Sequence, residues 1–254
     1  MKAIILAAGR GSRMGKATQN SHKCRSILHG KELIQWQLDS LMEAGIKDIA
    51  IVTGYLSETF DFDLTYFHNS KWSETNMIRS LLKADDWLNK DTCIVSYADI
   101  AYFPQPIYDL METKDDIAIT YDPNWIDLWS RRFTDPLQDA ETFRLQGSYL
   151  DEIGAKPASF DEIEGQFMGL IKFNPRGWSK VKSKLSKLPV EKLNRLDSTG
   201  LLQNLITDGL MIGAIEVNSP WAEVDGEKDL LLYNKDPFLS QQWKDALIKD
   251  KENL

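Results

Sequence analysis

Four short, nearly uninterrupted apolar runs constrain the fold more than any other feature of this chain: AIILAA (3–8), KDIAIVTGY (47–55), TCIVSYAD (92–99) and DIAITYD (116–122). Segments with helical spacing lie between them. KELIQWQLDSLMEAG (31–45) places Leu33, Ile34, Leu38, Leu41 and Met42 on one face before stopping at Gly45. TNMIRSLLKADDWL (75–88) and PIYDLMET repeat that spacing. Apolar strands alternating with amphipathic helices predict an α/β fold, a Rossmann-like, mostly parallel sheet flanked by helices. FDLTYF (62–67), FMGLIKF (167–173) and MIGAIEV (211–217) add strands, and STGLLQNLITDG (198–209) a helix. Such sheets bind ligands beyond the carboxyl ends of their strands, where Gly9, Gly54 and Asp99 fall.

The chain reads as a single domain over 1–254. Residues 123–165 mix aromatic and charged residues with turns, and predict an insertion or rim with short antiparallel strands over the sheet opening. The segment 236–254 predicts an amphipathic helix for packing or a homodimer contact. A net charge of −8 disfavours a surface built for nucleic acid. No run reaches membrane-spanning length, and a first strand beginning at Lys2 leaves no room for a signal peptide. A cytoplasmic protein without membrane partners is therefore expected. Two cysteines and three histidines without ligand spacing suggest neither a disulfide scaffold nor a zinc site.

Against the acidic whole, Lys2, Arg10, Arg13, Lys16, Lys23, Arg25 and Lys31 all precede or adjoin the first acidic residue, Glu32. A local anion site at the amino-terminal loop follows. The loop AAGRGSRMGK resembles two phosphate cradles and matches neither. A dinucleotide fingerprint needs its third glycine one residue earlier than Gly15, and an acidic end to the second strand, which ends Thr53-Gly54. The ATPase loop needs glycine at position 10 and Ser or Thr at 17, which are Arg10 and Ala17. A plain βα turn with solvated basic residues is the competing explanation.

LAAGRGSRMG followed by Lys23 resembles the signature loop of the nucleotidyltransferases that activate phosphorylated sugars and related small phosphate esters. VTGY (52–55), TNMIRSL, SYAD (96–99), GAKP (154–157) and WAEVDGEKDL (221–230) extend the resemblance over nearly the whole chain. NWIDLWSRRF, EIEGQFMGL and EVDGEKDL look more like the choline-phosphate cytidylyltransferase branch than the hexose-1-phosphate branch. Two departures stand out: His22 replaces the proline that normally precedes the lysine, and Lys16-Ala17 sits inside the loop.

The resemblance implies attack of a phosphate or phosphonate oxygen on the α-phosphorus of a nucleoside triphosphate, with pyrophosphate leaving. Two anions must meet, so catalysis is alignment and charge neutralisation. It gives Asp99 and Asp225 to a Mg²⁺ ion, Arg13 to the β,γ-phosphates, Lys23 to the phosphates of both substrates and Lys156 to the acceptor phosphate. The nucleotide falls to Leu6, Ala8, Gly9, Gly11, Ser12, Gly54, Tyr55, Asn76, Ser80 and Ala98. The nucleotide implied is CTP, with UTP open. For the acceptor, Tyr121, Trp125, Trp129 and Trp221 offer aromatic faces and Asp127, Glu164 and Glu223 offer carboxylates, a mixture suited to an ammonium group. Arg131 and Arg132 suit an acceptor carboxylate. Choline phosphate, an aminoalkylphosphonate and a phosphorylated amino-acid-like compound all fit, in the setting of cell-surface polysaccharide synthesis. A sugar-1-phosphate nucleotidyltransferase and a catalytically silent nucleotide-binding module are the alternatives.

Overall fold

Strand edges meeting at one end of a single large sheet set the position of everything that follows. A computed structural model describes residues 1–252, with side chains for all of these except 13, 16, 17 and 249–252. The sheet has nine strands: β1 (Lys2–Ala7), β2 (Ile49–Thr53), β3 (Thr65–His68), β4 (Cys93–Tyr97), β5 (Ile117–Asp122), β6 (Phe143–Gln146), β7 (Tyr149–Ile153), β8 (Gln166–Phe173) and β9 (Gly213–Glu216). Their spatial order is β3-β2-β1-β4-β8-β5-β9-β7-β6. All but β7 and β8 run in one direction. The predicted α/β class holds, with helices covering the sheet.

The apolar runs are buried as their composition requires. Every residue of β2 and of β5 is buried, and Ala3, Ile4 and Ile5 of β1 have no exposed surface. Register places Ala7 opposite Thr53 and Leu6 opposite Tyr97, so three successive loops leave the sheet at one level.

Several local expectations change. The first helix spans Leu33–Glu43, because Lys31–Glu32 instead pairs with Ile27–Leu28 in an antiparallel hairpin. Met42 lies outside its buried face, which Trp36, Gln37 and Ser40 share with the leucines. The helix predicted over 75–88 is divided into Met77–Leu81, a 3₁₀ turn at Leu82–Ala84 and Asp85–Leu88. Within 123–165 a helix, Trp125–Arg132, precedes β6 and β7, and those two strands extend the main sheet at its edge. Helices Pro175–Leu185 and Val190–Arg195 are additional, the first opened by Asn174, which accepts from the Gly177 N–H at 2.8 Å. The last helix runs Pro237–Glu252 and is anchored by Trp243, whose ring packs 4.9 Å from Trp36 and 5.1 Å from Phe103. Among the described residues no helix is long and apolar enough to cross a membrane.

Candidate active site

The chain after β1 must turn sharply and then run back against Lys23, and Gly11 permits this. Its φ is +64°, and a Cβ there would lie 3.0 Å from both Cβ and Cδ of Lys23. A second close approach occurs at Gly54, where a Cβ would meet the Ala8 carbonyl at 2.6 Å. These contacts shape a cavity of about 300 Å³ at the ends of β1 and β4. Of the predicted nucleotide contacts, Leu6, Ala8, Gly9, Gly11, Ser12, Asn76, Ser80 and Ala98 line it, together with Lys23 and Asp99. Gly54 and Tyr55 stand behind the wall instead, since the Tyr55 hydroxyl is bound to the Thr18 and Gln19 carbonyls and tethers the loop. Thr75 and Met77, from the 75–80 segment expected around the base, line it too, and Trp72, Tyr97 and His22 do so without having been predicted to. Arg13, assigned above to the leaving phosphates, has a side chain outside those described.

The polar rim is already organised. Asn69 donates to Thr75 Oγ1 at 3.1 Å and to Ser80 Oγ at 3.0 Å. Asn76 caps Met77–Leu81 by accepting from the Met77 N–H, and its amide donates to the Arg195 carbonyl. His22 is 3% exposed, and burial, only partly offset by the Ala7 backbone beside the ring, pulls its pKa down to about 4.

Asp99 and Asp225 are brought together by backbone. The short strand Ile100–Tyr102 pairs antiparallel with Trp221–Glu223, and the Val224 N–H donates to the Asp99 carbonyl at 2.9 Å. Gln37 holds the turn before that strand through the Tyr97 and Ile100 carbonyls. On the other side, Asp229 in the first turn of Glu227–Lys235 accepts from the Asp225 and Gly226 N–H groups at 2.8 and 2.9 Å. The two carboxylates are bridged by Lys23, whose Nζ lies 2.8 Å from Asp99 Oδ2 and 3.1 Å from Asp225 Oδ1. Burial opposes the charge on Lys23, but the two aspartates outweigh it and hold the ammonium above its ordinary pKa.

Arg132 forms a second hub. Its buried guanidinium reaches Glu223 at 2.8 Å, Asp229 at 3.1 Å and Asp225 Oδ2 at 3.3 Å. It was predicted to face the acceptor; three carboxylates hold it instead, between the rings of Trp129 and Phe133. Burial, with Asp225 and Asp99 nearby, pushes the Glu223 carboxyl up to about 7 in spite of Arg132.

A second cavity of about 290 Å³ shares Met77 and Tyr97 with the first and carries Asp225 in its wall. Trp129 and Glu223 of the predicted acceptor set line it, and Asp139, Glu141, Asp197, Thr142, Thr199 and Gln166 complete its polar lining. Burial, then the neighbouring Asp197, raises the Glu141 carboxyl. The remaining predicted acceptor residues do not line it. Tyr121 stacks on Phe143, and Trp125 packs on Trp129 and donates to the Ile163 carbonyl. Asp127, Arg131 and Trp221 line a separate cleft under the C-terminal helix, where Arg131 pairs with Asp236 and Trp221 donates to Asp122. Glu164 accepts from the Leu145 N–H at the sheet edge. Lys156 is exposed and donates to the Leu137 and Gln138 carbonyls, lining neither cavity. Glu141 and Asp197 carried no motif: the one lies in the inserted segment, the other reads as the cap of Ser198–Thr207, which it also is.

A glycine-rich loop over one cavity, a lysine shared by two aspartates, and a second cavity beside them define a nucleotidyltransferase on a nucleotide-diphospho-sugar transferase fold. The chain belongs to the MobA-like NTP transferase domain family, which it matches over residues 3–146. It is 37% identical over 247 residues to the CTP:phosphoglutamine cytidylyltransferase of Campylobacter jejuni, covering 91% of this chain and 98% of that protein. The choline-phosphate cytidylyltransferase of Haemophilus influenzae is 43% identical over 105 residues, 39% of this chain and 44% of its own. In structure the chain is similar to the inositol-1-phosphate CTP transferase from T. maritima, with a TM-score of 0.74 at 18% identity, covering 96% and 95% of the two chains.

Proposed function

We propose that this nucleotidyltransferase is a cytidylyltransferase that joins CMP from CTP to the phosphate of a small acceptor bearing an ammonium group, of the phosphoglutamine kind. The observation that carries the reading is the Lys23 ammonium between Asp99 and Asp225, at the junction of a glycine-walled and an acidic cavity. The extent of the likeness to the Campylobacter jejuni enzyme supports CTP and phosphoglutamine over other pairs. The acidic lining of Asp139, Glu141, Asp197, Glu223 and Asp225 supports an acceptor with a cationic group, since carboxylates gathered in one concave wall attract positive charge.

An acceptor phosphate oxygen, ionised near neutral pH, attacks the α-phosphorus; the new P–O bond forms as the α–β bridge breaks and pyrophosphate carries away the electron pair. No general base is required. Lys23 neutralises the crowding phosphates, and the Gly9–Ser12 backbone approaches them closely because two of those positions lack a Cβ. Asp99 and Asp225 would hold Mg²⁺: Asp99 Oδ1 is buried without a hydrogen-bond partner among the described residues, and a magnesium ion takes one or two carboxylates and completes its shell with phosphates and water. When bound, the ion supplies further charge neutralisation at the transferred group.

Pyrophosphate release, measured with each of the four NTPs and Mg²⁺ against phosphoglutamine, choline phosphate, 2-aminoethylphosphonate and a hexose 1-phosphate, tests this directly. CTP with phosphoglutamine is expected to give the highest kcat/KM. Preference for the hexose ester would overturn the acceptor assignment, and silence with every pair would overturn the function.

A further inference from the structure

Lys23 does not reach into open space. Its ammonium occupies one oxygen of Asp99 and one of Asp225, and its side chain is 8% exposed. The stem lies close against Gly11, where a Cβ would come within 3.0 Å of its Cβ and Cδ. The second oxygen of Asp225 is taken by Arg132. The second oxygen of Asp99 is buried and has no hydrogen-bond partner among the described residues. Among the described residues, Asp99 and Asp225 thus meet Lys23, and Glu223, Asp225 and Asp229 meet Arg132. The ammonium therefore sits where a cation shared by the two aspartates would be held.

We infer that Lys23 is the resident counter-ion of the Asp99–Asp225 pair and closes it to divalent cations until nucleotide phosphates draw the ammonium away. The inference rests on the proposed metal role of the two aspartates. A lysine and a divalent cation cannot share this pair, because like charges a few ångströms apart in a poorly solvated site repel strongly. Phosphates supply the alternative partner that lets the ammonium leave without becoming a buried, unpaired charge. Metal and nucleotide then enter together, and the free enzyme does not accumulate metal at this position.

Binding of Mn²⁺ alone, followed by water-proton relaxation, and melting with and without Mg²⁺ test the inference without any turnover. Wild type is expected to bind Mn²⁺ weakly and to melt at the same temperature with or without Mg²⁺. Lys23→Met keeps the stem and removes the charge; it is expected to bind Mn²⁺ at least tenfold more tightly, and its lowered Tm to rise with Mg²⁺. Adding Asp225→Asn should abolish that gain, and Lys23→Arg should stay closed. Lys23→Gln is read in the same way should the methionine variant not fold. Tight Mn²⁺ binding by wild type, or equal binding by wild type and Lys23→Met, overturns the inference while leaving the metal site standing. Absence of Mn²⁺ binding in both variants and in wild type with CTP overturns the metal reading and the inference with it.

Discussion

His22 stands next to the lysine on which the site turns, and its imidazole gains nothing from being there as an ion. Burial lowers its pKa from the ordinary 6.5 to about 4, so between those values the unfolded chain binds a proton that the folded chain refuses. Stability is then lost as pH falls from 6.5 to 4, by about 3 kcal/mol in all. Urea unfolding at pH 7 and pH 4.5 should show His22→Gln losing less stability on acidification than wild type; equal losses would exclude His22 as the source. Asp225 presents the opposite case, a residue wanted for its charge. Asp225→Asn should lower kcat by ~100-fold or more, with circular dichroism unchanged. Near-wild-type turnover would remove Asp225 from the reaction. Both aspartates were assigned through the resemblance, on strand-end segments that the fold brings to one lysine, whereas Lys156 was assigned through the GAKP match alone. A tetrapeptide match does not say which carbonyls the side chain will meet, and in the fold it meets Leu137 and Gln138.

At the scale of elements, the helix Trp125–Arg132 shows why composition misleads about a binding surface. Its aromatic and charged residues suggested one acceptor-facing wall, but a helix divides them by angle. Trp125 and Trp129 go to the core, Arg132 to the carboxylates beside Asp225, and Arg131 to Asp236 near the last helix. Only the Trp129 edge reaches the second cavity. The residues that do line it, Glu141 and Asp197, come from separate elements, so no local pattern could join them. The C-terminal helix was legible as amphipathic, but its anchor was not. Trp243 is 2% exposed and closes an aromatic cluster with Trp36, Phe103 and His29. Trp243→Ala should cost about 3–5 kcal/mol in denaturant unfolding while leaving the KM for CTP unchanged. A loss under 1 kcal/mol would mean the helix is not held by this residue.

For the molecule as a whole, β1, β2, β4 and β5 were readable because buried strands are written as continuous apolar runs. Their end loops, and with them Gly9, Gly54 and Asp99, followed without further information. What could not be read was the position of β8, which lies between β4 and β5 and runs against both. Nothing in FMGLIKF distinguishes a reversed central strand from a parallel one at the edge. That placement has a consequence for the newborn chain. When residue 122 has left the ribosome, β4 and β5 are both complete, yet the strand that joins them lies more than forty residues downstream. Until it arrives, β4 offers an open apolar edge on the half that carries the glycine-walled cavity, a template for mispairing with another nascent copy. Synthesis through residue 173 is therefore the vulnerable interval, and slow or interrupted elongation there should favour aggregation over folding.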